Sequence, residues 1–285
     1  MADSITAYSF SEMLQDMYAK LGVLRETVAT GGSTTTAVDS KLGDLGEDDD
    51  WKDGTLFVVR DSGGAAAAPE GEFERISGYT NASGTFTFAA LSVAVASGDT
   101  IAYTDDQVPL YQAKRLANEG LQRIGDVDLA DTTTLDSASD QKEYTMSLPW
   151  KRRPKKIEIQ TTTGDANRND WKILTDWDYS PAASGSTGLI IFKLQPTAER
   201  DLKIWYEGRH KRLVEFSDPV NEAINPELAS HAGYLMMLRW LNNQRRGEDR
   251  YLVEQLNSAE VEFDRLRSEF PIFRIARQSR LNVVG

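Results

Sequence analysis

The chain has 285 residues, and 40% of them are hydrophobic, which is enough to build a core in one large domain or in two. Its formal net charge of −12 argues against a protein that coats DNA, although a local basic surface is compatible with it. The absence of cysteine excludes disulfides, thiolate catalysis and cysteine-ligated metal.

The residue composition of the first hundred positions changes after one predicted helix. Apolar residues at helical spacing predict an amphipathic helix over 10–24, with Ser9 or Ser11 as its cap. From residue 27 to 104 glycine, threonine, serine and alanine dominate, and the apolar runs are short. Strand-like segments lie at 55–59, 73–76, 84–88 and 100–103. This region is typical of a small antiparallel β-module.

A second helix and a second group of strands follow. Apolar residues at helical spacing predict a helix over 109–125, in which the small residues Ala113, Ala117 and Gly120 allow close approach of another helix. Several of the later segments alternate apolar and polar residues, as in a half-buried sheet. These predicted strands are 143–146, 156–160, 171–174, 189–194 and 202–206.

The last quarter of the chain predicts a long helical hairpin. Residues 226–245 are apolar on nearly every side, so this helix needs several neighbours to cover it. Asn225 is a good cap for this helix, and Pro226 suits the first helical position. After a turn at Gly247, a second helix carries a narrow apolar stripe and ends before Pro271. The pattern therefore predicts an α+β fold with a helical core, a long C-terminal helical hairpin, a small antiparallel β-sheet and an inserted N-terminal β-module.

The tail after Pro271 mixes large apolar residues with three arginines and contains no acid. Chain ends without partners are usually polar and frayed, so this composition indicates a segment that docks on another protein. The residues that we expect to make this contact are Phe273, Arg274, Ile275, Arg277, Arg280 and Leu281.

The order of several strings resembles the head-to-tail connector, or adaptor, proteins of tailed bacteriophages. These strings are ANEGLQRIG at 117–125, DTTTL at 131–135, QKEYTMSLP at 141–149 and LKIWYEGRH at 202–210. The resemblance covers residues 108–271, and in that family a helix, a short sheet and a helical hairpin follow in this order. Residues 29–104, with GEFERI, GTFTF and GDT, look like a β-module that recurs in phage virion proteins.

The resemblance implies a structural virion protein made in the host cytoplasm and located in the neck, at the head-tail junction. It implies a dodecameric ring that binds the portal protein above and tail or neck proteins below, without a cofactor. Genomic DNA would pass through the ring without specific binding. The implied domains are an N-terminal helix (1–28), a β-rich inserted module (29–107), the adaptor core (108–270) and a C-terminal arm (271–285) that reaches the portal.

Subunit packing is expected on the helix at 109–125 and on the hairpin, because the apolar helix at 228–241 is hard to cover within one subunit. The residues assigned to this packing are Leu116, Leu121, Leu235, Met236, Trp240, Leu256 and Phe263.

Two charged runs each allow two interpretations. The basic run could contact DNA phosphates or an acidic partner, or it could be a solvated loop. Its members are Lys151, Arg152, Arg153, Lys155 and Lys156. The acidic run at 47–50 could bind calcium, but it lacks the alternating ligand spacing of a helix-loop-helix calcium site, so a solvated loop is favoured.

Catalysis has little support in the sequence, and we expect no enzyme activity and no metal site. The only histidines, His210 and His231, lack a second ligand at zinc-binding spacing, and neither a Gly-x-Ser-x-Gly motif nor a phosphate-binding glycine loop occurs. No run reaches the length of a membrane span, and the N-terminus lacks a signal-peptide pattern.

Three alternative functions stay open. Residues 29–104 could form a tail-associated module that binds a host receptor or carbohydrate. A glycan hydrolase is the second, although the sequence offers no candidate pair of carboxylates. The third is another neck protein, a tail terminator or stopper; these are usually shorter and more β-rich and lack the closing hairpin.

Overall fold

The computed structural model describes residues 7–44, 46–64, 68–132, 142–146, 153–161, 171–180, 188–194, 196, 200–272 and 274. Its contacts divide the chain into two compact units. Unit 1 comprises Met1–Ile124 and Lys211–Pro271, and unit 2 comprises Gly125–His210 and Ile272–Gly285. The larger part of unit 2, Gly125–His210, is thus inserted in sequence between the two parts of unit 1, and the smaller part follows unit 1.

Unit 1 contains the four α-helices of the described residues. They are α1 (Phe10–Leu21), α2 (Leu110–Ile124), α3 (Pro226–Gln244) and α4 (Arg250–Glu269). Ser9 and Glu12 form a capping box at the start of α1, in which each side chain accepts the other residue's backbone N–H. The Asn225 side chain caps α3, with Pro226 in the first turn, and Asp249 caps α4.

Helix α3 lies at the centre of the helical part of unit 1. Helices α1, α2 and α4 all pack against it. A Cβ atom on Gly120 of α2 would lie 2.6 Å from the backbone of Ala232 and Gly233, so α2 and α3 touch backbone to backbone at this point. Met17 of α1 fills the space beside Gly233. Most apolar side chains of α3 are therefore covered within unit 1.

Unit 1 also contains a seven-stranded antiparallel sheet in the order β1-β7-β4-β5-β6-β3-β2. Its strands are β1 (Arg25–Val28), β2 (Gly31–Gly32), β3 (Thr36–Val38), β4 (Thr55–Arg60), β5 (Phe73–Thr80), β6 (Thr85–Phe88) and β7 (Thr100–Tyr103). The two edge strands, β1 and β2, are separated by only two residues. Between them, the Ala29 N–H donates to the Asp99 carbonyl and the Thr30 N–H donates to the Val38 carbonyl. One continuous segment thus joins both edges, and the sheet curls on itself like a small barrel.

The interior of this sheet combines aromatic and small residues. The Phe86 ring lies 5.0 Å from the Tyr79 ring and 4.8 Å from the Tyr103 ring, measured between centroids. Ala29 and Ala37 complete the same buried cluster. Tyr18 of helix α1 contacts strand β4, because its hydroxyl lies 3.2 Å from the Thr55 hydroxyl and its ring centre lies 5.9 Å from that of Phe57. The same hydroxyl donates to the Val108 carbonyl at 2.8 Å. Burial raises the pKa of Tyr18 well above its ordinary value, so the phenol remains a neutral donor.

Unit 2 contains the remaining strands. A four-stranded sheet has the order β11-β10-β14-β8, and a three-stranded sheet has the order β12-β13-β9. The strands are β8 (Asp126–Asp131), β9 (Glu143–Met146), β10 (Lys156–Gln160), β11 (Trp171–Leu174), β12 (Trp177–Ser180), β13 (Gly188–Phe192) and β14 (Leu202–Arg209). The first and last of them, β8 and β14, are antiparallel neighbours, and Asp126 pairs with Arg209.

The predicted fold class is wrong. The described residues form fourteen strands in three antiparallel sheets with four helices, so the protein is mostly β and does not have a helical core beside a small sheet. The physical reason is that strands β1 to β3 have only two to four residues each and bury small side chains such as Ala37. Their glycine-, threonine- and serine-rich sequences resemble loops, whereas helical periodicity is conspicuous. Among the described residues, no helix is both long enough and apolar enough to cross a membrane.

Candidate functional site

Of the six predicted docking residues, only Arg274 is among the described residues. Phe273, Ile275, Arg277, Arg280 and Leu281 lie outside the described residues. The side chain of Arg274 donates to the Glu207 carboxylate of strand β14 at 2.7 Å. Arg274 therefore has a partner within unit 2, and its assignment to portal docking stays a prediction.

The predicted basic patch contains one buried member. Lys151 and Arg152 lie outside the described residues, whereas Lys155 is only 7% exposed. Its ammonium lies 2.6 Å from the Asp128 carboxylate and 3.9 Å from that of Glu207. A buried ammonium requires such partners, because an unpaired charge away from water is costly. Lys155 is thus held in an internal ion pair.

The other described members of the basic patch also have neighbours in unit 2. The Lys156 ammonium lies 2.7 Å from the Glu158 carboxylate and 5.4 Å from the Trp205 ring centre. The Arg153 guanidinium lies 5.5 Å from the centre of the Trp177 ring. Cation–π contacts of this kind stabilise by about 0.5–1 kcal/mol at exposed sites. Each described cation of the patch therefore contacts a carboxylate or an aromatic ring.

A ladder of lysine and tryptophan side chains crosses one face of the four-stranded sheet, and sequence reasoning missed it. The Lys203 ammonium lies 5.4 Å from the Trp171 ring centre and 4.9 Å from that of Trp205. The Trp205 indole donates to Glu158 at 2.6 Å. The alternation of side chains in β10 and β14 is visible in the sequence. Predicting the ladder also requires the register that places Glu158 opposite Lys203. The ladder is internally paired and leaves the indoles only partly exposed.

The predicted subunit-packing residues fall into two groups. Leu116, Leu121, Leu235 and Phe263 are buried inside unit 1, where a second subunit cannot reach them. Met236, Trp240 and Leu256 are partly exposed. Subunit packing through the seven residues stays a prediction.

The exposed seam between α2 and α3 carries one of these three residues. When the Gln112 amide is oriented to satisfy its neighbours, its oxygen accepts from the Trp240 indole at 3.2 Å and from Arg115 at 2.9 Å. At the start of α2, Tyr111 is 71% exposed. Tryptophan, tyrosine, methionine and arginine are the residue types enriched at protein interfaces. The seam is the best-supported contact surface on the helices.

An open groove of about 390 Å³ lies between α3 and α4. It is lined by Tyr234, the 69%-exposed Tyr251 and the carboxylates Glu254 and Glu262, among others. His231 lies at its base, with Nε2 2.9 Å from the Ala259 carbonyl oxygen. A hydrogen bond to Arg265 lowers the pKa of Glu262. His231 thus bridges the two helices.

His210 is buried in unit 2. Within the part of the chain that the structure describes, no three histidine or carboxylate side chains converge on a metal site.

The acidic run lies in an exposed turn, where its carboxylates accept backbone N–H groups. The Asp48 carboxylate accepts the Asn81 N–H at 2.8 Å, and Asp49 accepts the Tyr79 N–H at 3.2 Å. The Asp50 carboxylate accepts the Glu47 N–H at 2.8 Å. A side-chain hydrogen bond to Lys52, together with the bond from Tyr79, lowers the pKa of Asp49. These carboxylates bind backbone groups that would otherwise lack a partner.

No protein-family model matches the chain, and no curated protein matches it significantly.

Proposed function

We propose that this protein is the adaptor of a tailed-phage neck, a non-enzymatic virion component that joins the capsid portal to the tail around a DNA channel. The observation that carries the proposal is the packing of α2 with the hairpin α3–α4, with the antiparallel strands of unit 2 inserted between α2 and α3 in sequence. This is the order of helix, sheet and packed hairpin on which the resemblance to adaptors rests.

Two further features support the proposal. The seam with Tyr111 and Trp240 offers a contact surface for neighbouring subunits of a ring. The net charge of −12 suits a channel, because strong binding to phosphates would hinder the passage of DNA. Portal, tail or neck proteins and further copies of the chain are then the partners.

The experiment that tests the proposal is a mass determination by native mass spectrometry or light scattering. The purified protein is measured alone and after mixing with the portal of the same particle. We expect one complex with several copies of the chain per portal ring. A protein that ignores the portal at micromolar concentration contradicts the proposal.

The arm is tested by removing it. Deletion of residues 273–285 should leave a folded protein, with the circular dichroism of the full chain, that no longer binds portal. A double variant, Arg277→Glu with Arg280→Glu, should weaken binding in the same direction, because it reverses the charges offered to portal carboxylates. The matched control is Arg246→Glu with Arg250→Glu, which changes net charge equally outside the arm. Normal portal binding by the truncated chain would show that the arm does not dock.

A second candidate function for this chain is that of another neck protein, a tail terminator or stopper, and the β-rich fold favours it. The hairpin α3–α4 argues against it, because such proteins usually lack that element. The mixing experiment separates the two: an adaptor binds the isolated portal directly, whereas a protein placed further from the capsid requires another neck protein between them.

A further inference from the structure

Glu207 of strand β14 lies between two cations, one of which is Arg274 of the C-terminal segment. Its carboxylate is 2.7 Å from the Arg274 guanidinium and 3.9 Å from the Lys155 ammonium. The Glu207 side chain is 21% exposed and that of Arg274 is 54% exposed, so the pair lies at the rim of the sheet. Behind it, Lys155 and Asp128 form the buried pair.

These three contacts join four charged side chains into one network. Lys155 faces two carboxylates, Asp128 at 2.6 Å and Glu207 at 3.9 Å, and Arg274 adds the second cation. Because Lys155 and Asp128 are shielded from water, the field at Glu207 is less screened than at a free surface. The network therefore favours a second positive charge beside Glu207, and the Arg274 guanidinium provides it with a charge-assisted hydrogen bond.

We propose that Glu207 is a positioning residue for the C-terminal arm, which it anchors to unit 2 through Arg274. Arg274 is then not one of the arginines offered to the partner. A fixed origin for the arm raises its effective concentration at a target. The role of the anchor in docking rests on the proposed function; the contact itself does not.

The experiment measures tryptic cleavage of the intact chain, bond by bond, by mass spectrometry. Trypsin must take the arginine side chain into its own pocket, so pairing with Glu207 competes directly with cleavage after Arg274. Cleavage after Arg277 and Arg280, in the same arm, is the internal reference. We expect Glu207→Gln to raise cleavage after Arg274 about two- to fivefold relative to the reference bonds, as for the loss of one partly exposed ion pair.

The matched control is Asp126→Asn, which weakens the Asp126–Arg209 pair (3.3 Å) on the same sheet. It should leave the ratio of cleavage after Arg274 to cleavage after Arg277 unchanged. If Glu207→Gln unfolds unit 2, Glu207→Asp keeps the charge with a shorter reach and should raise the ratio by less than the glutamine variant does in the folded fraction. An unchanged ratio in folded Glu207→Gln or Glu207→Asp overturns the anchor.

The same variants separate the anchor from the proposed function. In a portal-binding assay, Glu207→Gln should weaken binding by about two- to fivefold, because the arm loses its fixed origin. A raised cleavage ratio without any portal binding by the parent chain supports the anchor and contradicts the adaptor proposal. A raised ratio with unchanged portal affinity overturns the positioning role of Glu207.

Discussion

The two units satisfy their buried charges in different ways. In unit 1, the buried carboxylate of Asp99 accepts the backbone N–H groups of Ala96 at 2.7 Å and Ser62 at 2.9 Å. In unit 2, the buried carboxylate of Asp128 is paired with the ammonium of Lys155. The first arrangement pairs a carboxylate with backbone N–H groups that are 3 and 37 residues away, whereas the second pairs two charged side chains that are 27 residues apart. The difference teaches that a buried carboxylate can be satisfied by backbone donors, as in unit 1, or by an opposite charge, as in unit 2.

The largest expected effect is the loss of the buried cation in unit 2. Lys155→Met leaves Asp128 without its ammonium partner, and breaking a buried pair costs about 3–5 kcal/mol. We expect the free energy of unfolding, measured by urea titration, to fall by that amount. The matched control is Lys193→Met, whose partner Asp176 lies 3.3 Å away at an exposed site. The control should change the free energy of unfolding by less than about 1 kcal/mol. Equal losses in both variants would contradict the larger role of the buried Lys155–Asp128 pair.

A second effect, about 2–3 kcal/mol, is expected from crowding the helices of unit 1. Gly120→Val places a branched side chain where a Cβ atom already lies 2.6 Å from the backbone of α3. The helices must separate, so the free energy of unfolding should fall. Glu119→Val adds the same side chain one position away, on a partly exposed surface, and should cost less than about 1 kcal/mol. Full stability of Gly120→Val would mean that α2 and α3 do not touch.

The smallest effect concerns Asp99 and its dependence on pH. Burial alone would raise the pKa of Asp99, but the hydrogen bonds from Ala96 and Ser62 outweigh it and lower the pKa below 3.8. The charged form is therefore favoured in the folded state. Its contribution is fully present above the unfolded pKa and is lost as the pH falls through the lower, folded value.

Asp99→Asn tests this assignment. It should cost about 1–2 kcal/mol at neutral pH, because an amide replaces one acceptor oxygen with a donor. The difference from the parent chain, measured by urea unfolding, should shrink as the pH falls below about 4. Asp53→Asn, which alters the exposed pair with Arg75, is the control and should cost less than about 1 kcal/mol. If the difference in the free energy of unfolding between Asp99→Asn and the parent chain stays constant down to acid pH, the ionised carboxylate is excluded as its cause.

Local features were predictable from sequence. The capping residues Ser9 and Asn225 are observed in these roles, because caps depend on neighbouring residues only. Strands β9, β10 and β11 begin and end where alternation predicts. The close approach of helices at Gly120 also followed from residue size.

Features that depend on distant residues were not predictable. Lys155 looked like part of a solvated run, because its partners Asp128 and Glu207 are remote in sequence. The helix α3 looked like a subunit interface, because its covering by Met17 and Gly120 depends on how the helices pack. The mostly β fold was missed because two- and three-residue strands such as β2 and β3 have no periodicity to detect. In each case the missing information is a tertiary contact.

The pairing of Asp126 with Arg209 has a consequence for how such a chain could arise. Paired residues in an antiparallel ladder lie about 5 Å apart, so the chain enters and leaves this sheet at nearly the same point. The whole segment could be gained or exchanged in a single genetic step that leaves the ends of the flanking helices α2 and α3 where they are. A short glycine-serine link from Ile124 to Lys211 would span this distance in a chain that lacks the segment.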